Sequence, residues 1–236
     1  MRPEVSVVMS TFNRASVLNT TLQALRRQQA PFAYEIIVVN DGPNGEETEA
    51  VCHRYEVCYT STGNIEYRNP GFARNEGYKR ARGRVLVSVS DDVVCSGDQC
   101  LLKLAHLRPG TFNIATVFNA RLSPGEARLL DCYTGPERPS PLFFLGSMLR
   151  EHCYAIGGNC EEFTRPGFED NWFGDCLIRG LGLIPVFHED IVGYHQDHER
   201  VIYESYKHME ALYHRKRLNA AAGKEPWIGG KPWPLG

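Results

Sequence analysis

EIIVVNDG, residues 35–42, sets four β-branched apolar side chains in a row and then stops in Asn-Asp-Gly. An apolar run with no polar alternation reads as a strand buried on both faces, the situation in a parallel sheet covered by helices. The Asp-Gly step is a turn signal. It leaves Asp41 at the carboxyl end of the strand, where open α/β sheets bind their ligands. The pattern repeats on either side. VSVVM at residues 5–9 is a second buried run. Over residues 15–28 it is followed by Val17, Leu18, Leu22 and Leu25 at helical spacing, with Asn13 or Ser16 available as the cap. RVLVSVS at residues 84–90 is a third run, and it ends in Asp91 and Asp92.

Between these strands the sequence predicts a polar helix over residues 46–55, a short strand at 65–68 and a helix at 73–81. Ser-Gly-Asp-Gln at residues 96–99 has capping-box form and introduces a helix to about residue 107, then a strand at 113–118. The expected fold class is therefore α/β, a central mostly parallel sheet flanked by helices. Residues 122–141 contain Pro124, Gly125, Gly135, Pro136, Pro139 and Pro141. They read as a loop-rich region, either the wall of an acceptor pocket or a surface connection. Beyond it come a strand from 142, a helix at 151–156, a Gly157-Gly158 break, a helix at 169–179 and a strand at 183–187. A last helix at 199–221 sets Ile202, Tyr206, Met209 and Tyr213 on one packing stripe. The expected organisation is one domain over residues 1–222, comprising a nucleotide-binding half (1–120), an acceptor half (121–198) and the C-terminal helix (199–222). An irregular tail follows at 223–236.

Composition narrows the function classes. At 236 residues, 42% hydrophobic and 23% charged, the chain matches a globular enzyme and not a disordered, collagen-like or membrane-embedded one. With a net charge of −2 and no long run of Lys or Arg, nucleic acid is not an expected partner. The cluster His214, Arg215, Lys216 and Arg217 reads as a solvated helix face. No stretch is long enough for a transmembrane segment and the first residues lack the pattern of a secretory signal, so a cytoplasmic location is expected. Eight cysteines without a C-x-x-C pair suit reduced, mostly buried thiols better than disulfides or a zinc site. The Rossmann fingerprint and the Walker pattern are both absent, so a nucleotide must be held in another way. Asp41 offers one: a carboxylate at a strand end can accept the ring N–H of uracil or guanine.

Four segments taken together, VSVVMSTFNR (5–14), EIIVVNDG (35–42), NPGFARNEGYKRARG (69–83) followed by VSVSDD (87–92), and GGNCEEFTRPGFEDNWFGDCLIRGLG (157–182), resemble glycosyltransferase family 2 of the GT-A fold. The resemblance implies an inverting transferase that moves one sugar from a nucleoside-diphosphate sugar, with a uracil-type base preferred, to a hydroxyl of a saccharide or other glycoconjugate. It sets Thr11, Asn13 and Arg14 beside base and ribose, with Arg74 approaching from the opposite side. The simpler roles are a helix cap for Asn13 and surface ion pairs for the arginines.

Asp91 and Asp92 resemble the family's acidic metal motif. Adjacent carboxylates at a strand end repel unless a cation joins them, and Mn²⁺ or Mg²⁺ is implied, with Asp92 as the direct ligand and Asp91 near ribose or sugar. Glu169 and Asp170 resemble the later acidic motif, Asp170 as the base and Glu169 holding a hydroxyl; the alternative is a pair that complements a helix dipole. A histidine after the following strand often completes the metal shell, which points to His195 ahead of His198. Tyr133, Trp172, Trp227 and Trp233 are available as sugar-stacking faces or as core. The Q-x-x-R-W motif and membrane helices of processive synthases are absent. A polyprenyl-phosphate acceptor met at a membrane surface stays open, as does a catalytically silent nucleotide-sugar or glycan-binding protein. Oligomeric state has no signature here.

Overall fold

Residues 5–11 are seven consecutive buried positions, so alternate side chains must enter two different covered faces. The computed structural model describes residues 2–43, 45–123, 126–197 and 205–235. In it this run is strand β1 (Val5–Thr11), which pairs in parallel with β2 (Tyr34–Asn40) and β4 (Val85–Val89). Strand β3 (Cys58–Ser61) extends the sheet in parallel beyond β2. On the other side β8 (Leu145–Leu149) pairs antiparallel with both β4 and β6 (Thr111–Ser123). β9 (Ile184–Gln196) lies parallel to β6, and β5 (Val93–Cys95) antiparallel to β9. The order is β3-β2-β1-β4-β8-β6-β9-β5, with β7 (Glu126–Thr134) attached to β6.

The alternation of β1 divides the core. Val5, Val7 and Met9 pack with Leu18, Leu22 and Leu25 of α1 (Ala15–Arg26), and the same cluster takes in Val51 and Cys52 of α2 (Glu46–Arg54) and Leu101 and Leu104 of α4 (Cys100–Ala105). Val8 faces the other way. It joins Ala73 and Tyr78 of α3 (Gly71–Arg80), Cys153 and Tyr154 of α5 (Arg150–Ala155), Trp172 and Phe173 of α6 (Glu169–Asp175) and Met209 and Tyr213 of α7 (Ser205–Ala221). Helix α3 comes close because Gly77 has no side chain: a Cβ there would stand 2.4 Å from Val8 Cγ1.

Several elements differ from the sequence expectation. Residues 65–68 are loop and the short strand is β3; Ile65 is 75% exposed, so the alternation there buries nothing. Neither α1 nor α4 has a side-chain cap, and Asn13 takes a left-handed conformation (φ 52°) in place of capping. The described part of 122–141 contains β7, whose largely exposed side chains carry no apolar periodicity; its ladder to β6 holds it. The strand expected at 183–187 runs on to Gln196. Helix α6 ends at Asp175 and a π-helical turn, Cys176–Gly180, continues it. The boundary expected between residues 120 and 121 falls inside β6. Pro124, Gly125, His198, Ile202 and the start of the last helix lie outside the described residues. All eight cysteines are free and six are buried. Among the described residues no helix is long and apolar enough to cross a membrane.

Candidate active site

The three parallel strands β1, β2 and β4 end side by side, and the acids that follow β2 and β4 arrive together. Nine of the ten candidate residues line one cavity of about 360 Å³: Thr11, Arg14, Asp41, Arg74, Asp91, Asp92, Glu169, Asp170 and His195. Asn13 is the exception. Its backbone N–H donates to Asn40 Oδ1 (3.0 Å), its Oδ1 accepts from Asn40 Nδ2 (2.9 Å) and its Nδ2 donates to the Pro43 carbonyl. It ties the loop after β1 to the end of β2.

Each aspartate in the cavity holds an arginine. Arg14 bridges the acidic pair, Nη1 to Asp91 Oδ1 and Nη2 to Asp92 Oδ2, both 3.0 Å. Burial opposes its charge, but the two carboxylates outweigh that and raise its pKa. The guanidinium thus supplies the cation that the sequence argument required between two adjacent carboxylates. Thr11 Oγ1 donates to Asp91 Oδ2 (2.7 Å), fixing that side chain further. Arg74 is 4% exposed and donates from Nη1 to Asp170 Oδ1 at 2.7 Å. Burial works against its charge too, and Asp170 more than compensates. Its buried Nε has no hydrogen-bond partner, an orphan donor of the kind a ligand oxygen satisfies. Asp41 holds Arg68 in a two-pronged pair, Nε to Oδ2 at 2.8 Å and Nη2 to Oδ1 at 2.9 Å.

Glu169 opens α6, and its Oε2 accepts from Gly167 N at 2.6 Å. Burial, then the adjacent Asp170 carboxylate, push its own carboxyl up to about 7. Phe168 just before it has φ 64°, an uncommon conformation for an aromatic residue, of the kind that concentrates at functional sites. His195, near the end of β9, places Nε2 at 3.3 Å from Asp92 Oδ2 and Nδ1 at 3.3 Å from Asn119 Oδ1. Tyr133 and Phe144 meet the imidazole edge-on, at 5.1 and 5.8 Å between ring centres.

Among the described residues there is no cluster of three or more metal-ligating side chains. Mn²⁺ and Mg²⁺ do not need one, since they are commonly held by one or two carboxylates together with substrate phosphates and water. Asp92 oxygen and His195 nitrogen, adjacent in the cavity wall and with His195 held from behind by Asn119, fit that requirement.

Of the two roles open to them, the tryptophans take the packing one. Trp172 is wholly buried, stacks on Trp227 at 5.3 Å and donates from Nε1 to the Ile228 carbonyl, on the core side of α6. Trp233 packs edge-on against Tyr154. None of the three tryptophans lines the cavity; Phe12, Tyr67, Phe144, Phe168 and Tyr206 do. Lys216 is not part of a solvated face: it is buried against Glu162 and Glu225. Arg68 escaped the sequence reading because an arginine in a loop has no periodic signal.

This arrangement, acids and arginines gathered where parallel strands end, defines a class of α/β protein built on the GT-A fold, and solved structures of that fold superimpose on the chain. A mannosyltransferase, PcManGT, from Pyrobaculum calidifontis in complex with GDP-Man and Mn²⁺ matches with a TM-score of 0.63 and 18% identity, over 95% of this chain and 66% of that one. S. aureus TarS residues 1–349 in complex with UDP-GlcNAc match with a TM-score of 0.64 and 18% identity, over 92% and 67%. Residues 6–146 match Glycosyl transferase family 2, and the chain belongs to that family. A validoxylamine A glucosyltransferase from Streptomyces hygroscopicus subsp. limoneus is 30% identical over 182 residues, 75% of this chain and 35% of that protein. The chain spans about a third of the length of the curated relatives it matches.

Proposed function

We propose that the chain is a divalent-metal-dependent, inverting glycosyltransferase that moves a single sugar from a nucleoside-diphosphate sugar, UDP by preference, to a hydroxyl of a saccharide or glycoconjugate. The observation that carries this reading is the convergence of Asp41, the Asp91-Asp92 pair and the Glu169-Asp170 pair on one cavity. Mn²⁺ in the solved mannosyltransferase complex and the nucleotide sugars bound by both neighbours support it.

Asp41 accepts the ring N–H of the base. Arg14 and Arg74 face the diphosphate, Arg74 with an unused Nε donor. Asp92 and His195 would hold Mn²⁺ or Mg²⁺, which neutralises charge on the departing diphosphate. Asp170 takes the proton of the acceptor hydroxyl as it attacks the anomeric carbon opposite the phosphate. Arg74 binds Asp170 Oδ1, fixing the carboxylate and leaving Oδ2 for that proton. Glu169, its carboxyl raised by burial and by the adjacent Asp170 carboxylate, holds a sugar hydroxyl.

The test is thermal stability with UDP, GDP, dTDP, CMP and ADP, each with and without Mn²⁺. A ligand at 100 times its Kd stabilises by about 2.7 kcal/mol. UDP should shift the midpoint only when Mn²⁺ is present. Asp170→Asn should keep that shift while losing sugar transfer. Equal loss of donor affinity in this variant would remove Asp170 from the role of base, and no shift with any diphosphate would sink the donor site.

A further inference from the structure

Asp41 is saturated. A carboxylate offers about four lone-pair directions, and its two oxygens receive four donor contacts. Oδ2 accepts from Arg68 Nε (2.8 Å) and Asn64 Nδ2 (3.3 Å). Oδ1 accepts from Arg68 Nη2 (2.9 Å) and Thr62 Oγ1 (2.5 Å). A ring N–H can reach this carboxylate only in place of one of them. Thr62 and Asn64 belong to the turn that leaves β3 and are bound into it. Thr62 N donates to the Asn40 carbonyl, Asn64 N to Thr62 Oγ1, and Asn64 Nδ2 also to the carbonyls of Asp41 and Glu66.

Arg68 is held otherwise. Its guanidinium touches Asp41 on one side and lies 4.3 Å over the Phe72 ring, its side chain is 31% exposed, and it lines the same cavity as Arg14 and Arg74. It is the one donor of the set that can leave without undoing a turn. Once it leaves, a full positive charge has lost its partner inside a cavity of arginines. A planar fork of this kind pairs with phosphate as well as with carboxylate.

We propose that Arg68 is an exchangeable lock on Asp41, which gives up the carboxylate to the nucleobase and transfers its guanidinium to the donor's diphosphate. The inference rests on the reading of Asp41 as the residue that accepts the base. It makes Arg68 a specificity-determining residue: the base can be read only when the ligand also brings the phosphates that take Arg68 over. A nucleoside without phosphates must break the Arg68–Asp41 pair and leave the guanidinium uncompensated. The lock thereby rejects free nucleosides while admitting nucleoside diphosphates.

The experiment is titration calorimetry of uridine and of UDP with Mn²⁺ against wild type, Arg68→Gln and Asp41→Asn, with Arg68→Lys as a second, milder variant that keeps charge and stem. Charge-assisted hydrogen bonds are worth enough for about tenfold effects. Arg68→Gln should bind uridine about tenfold more tightly than wild type and UDP about tenfold more weakly; Arg68→Lys should move both in the same senses by less. A gain in uridine affinity cannot come from damage to the fold, so the opposite signs identify the exchange. If both ligands weaken together, or neither changes, while Asp41→Asn weakens UDP, the lock is wrong and the base reading stands. If Asp41→Asn leaves UDP binding untouched, both fall together.

Discussion

Within the cavity each arginine is paired with carboxylate: Arg68 with Asp41, Arg14 with Asp91 and Asp92, Arg74 with Asp170. A cavity so neutralised tolerates its acids without ligand, and on the proposed function a bound diphosphate would redistribute the same charges. Asp92 should therefore separate metal from fold. In Asp92→Ala, Arg14 keeps Asp91 as partner, so the protein should remain folded, while the Mn²⁺-dependent part of UDP affinity should vanish. Titration calorimetry of UDP with Mn²⁺ and with EDTA measures this, and an unchanged Mn²⁺ effect would exclude Asp92 as a ligand. Glu169 offers a pH test. Its folded carboxyl sits near 7 against an ordinary 4.5, so between those values the folded state keeps a proton that the unfolded state has lost. Stability should thus fall as pH rises from about 4.5 to about 7 and stay lower above, by up to about 1.4 kcal/mol per pH unit in that window. Glu169→Gln should flatten the slope, read from urea midpoints at pH 5, 6, 7 and 8; an identical slope would remove Glu169 as its source. The acids were legible in sequence because each follows a buried strand or opens a helix. Arg68 and Asn119 were not, because their roles are set by loop closure and by cross-strand neighbours.

Elements were legible where burial imposes a period. Strands β1, β2 and β4 are covered on both faces and announce themselves as apolar runs; β7 is mostly exposed and exists through its ladder to β6 alone. The tail is a further case. It reads as irregular and is so, yet residues 226–233 are pinned across the core side of α6. Gly229 N and Gly230 N donate to the Ile156 carbonyl, Trp233 N to that of Tyr154, and Trp227 stacks on Trp172 two residues after Asp170. The approach needs glycine: a Cβ on Gly229 would stand 1.8 Å from the Gly158 carbonyl oxygen. Gly229→Ala should therefore lift the tail, expose Trp172 and open the chain to trypsin after Lys224, detected as a red shift of tryptophan emission and an early C-terminal cleavage. Trp172→Ala should cost about 3–5 kcal/mol, the usual range for a buried tryptophan. A Gly229→Ala protein with wild-type emission and trypsin resistance would show that the tail contributes nothing to α6.

At the scale of the whole molecule, the question is whether the two halves expected from sequence, residues 1–120 and 121–198, can come apart. Strand β6 crosses residue 120 and pairs with β7, β8 and β9, so any division there would cut a strand that has partners on both sides. Strands β1, β2 and β4 also feed alternate side chains into both core clusters, one of which contains α6 and α7 from the second half. Loss of either half removes a wall from the other's core. We expect residues 2–235 to unfold in one cooperative step. The tryptophans make this measurable, since Trp172 belongs to the cluster built with α6 and α7, and Trp227 and Trp233 pack against it. Tryptophan emission thus reports the second half, whereas far-UV circular dichroism sums over every helix and strand. In a urea titration the two signals should share one midpoint, as two-state unfolding requires. A dichroism transition that splits, with emission following only one part, would mean that the first-half sheet survives without its partner and that the halves are separate folding units.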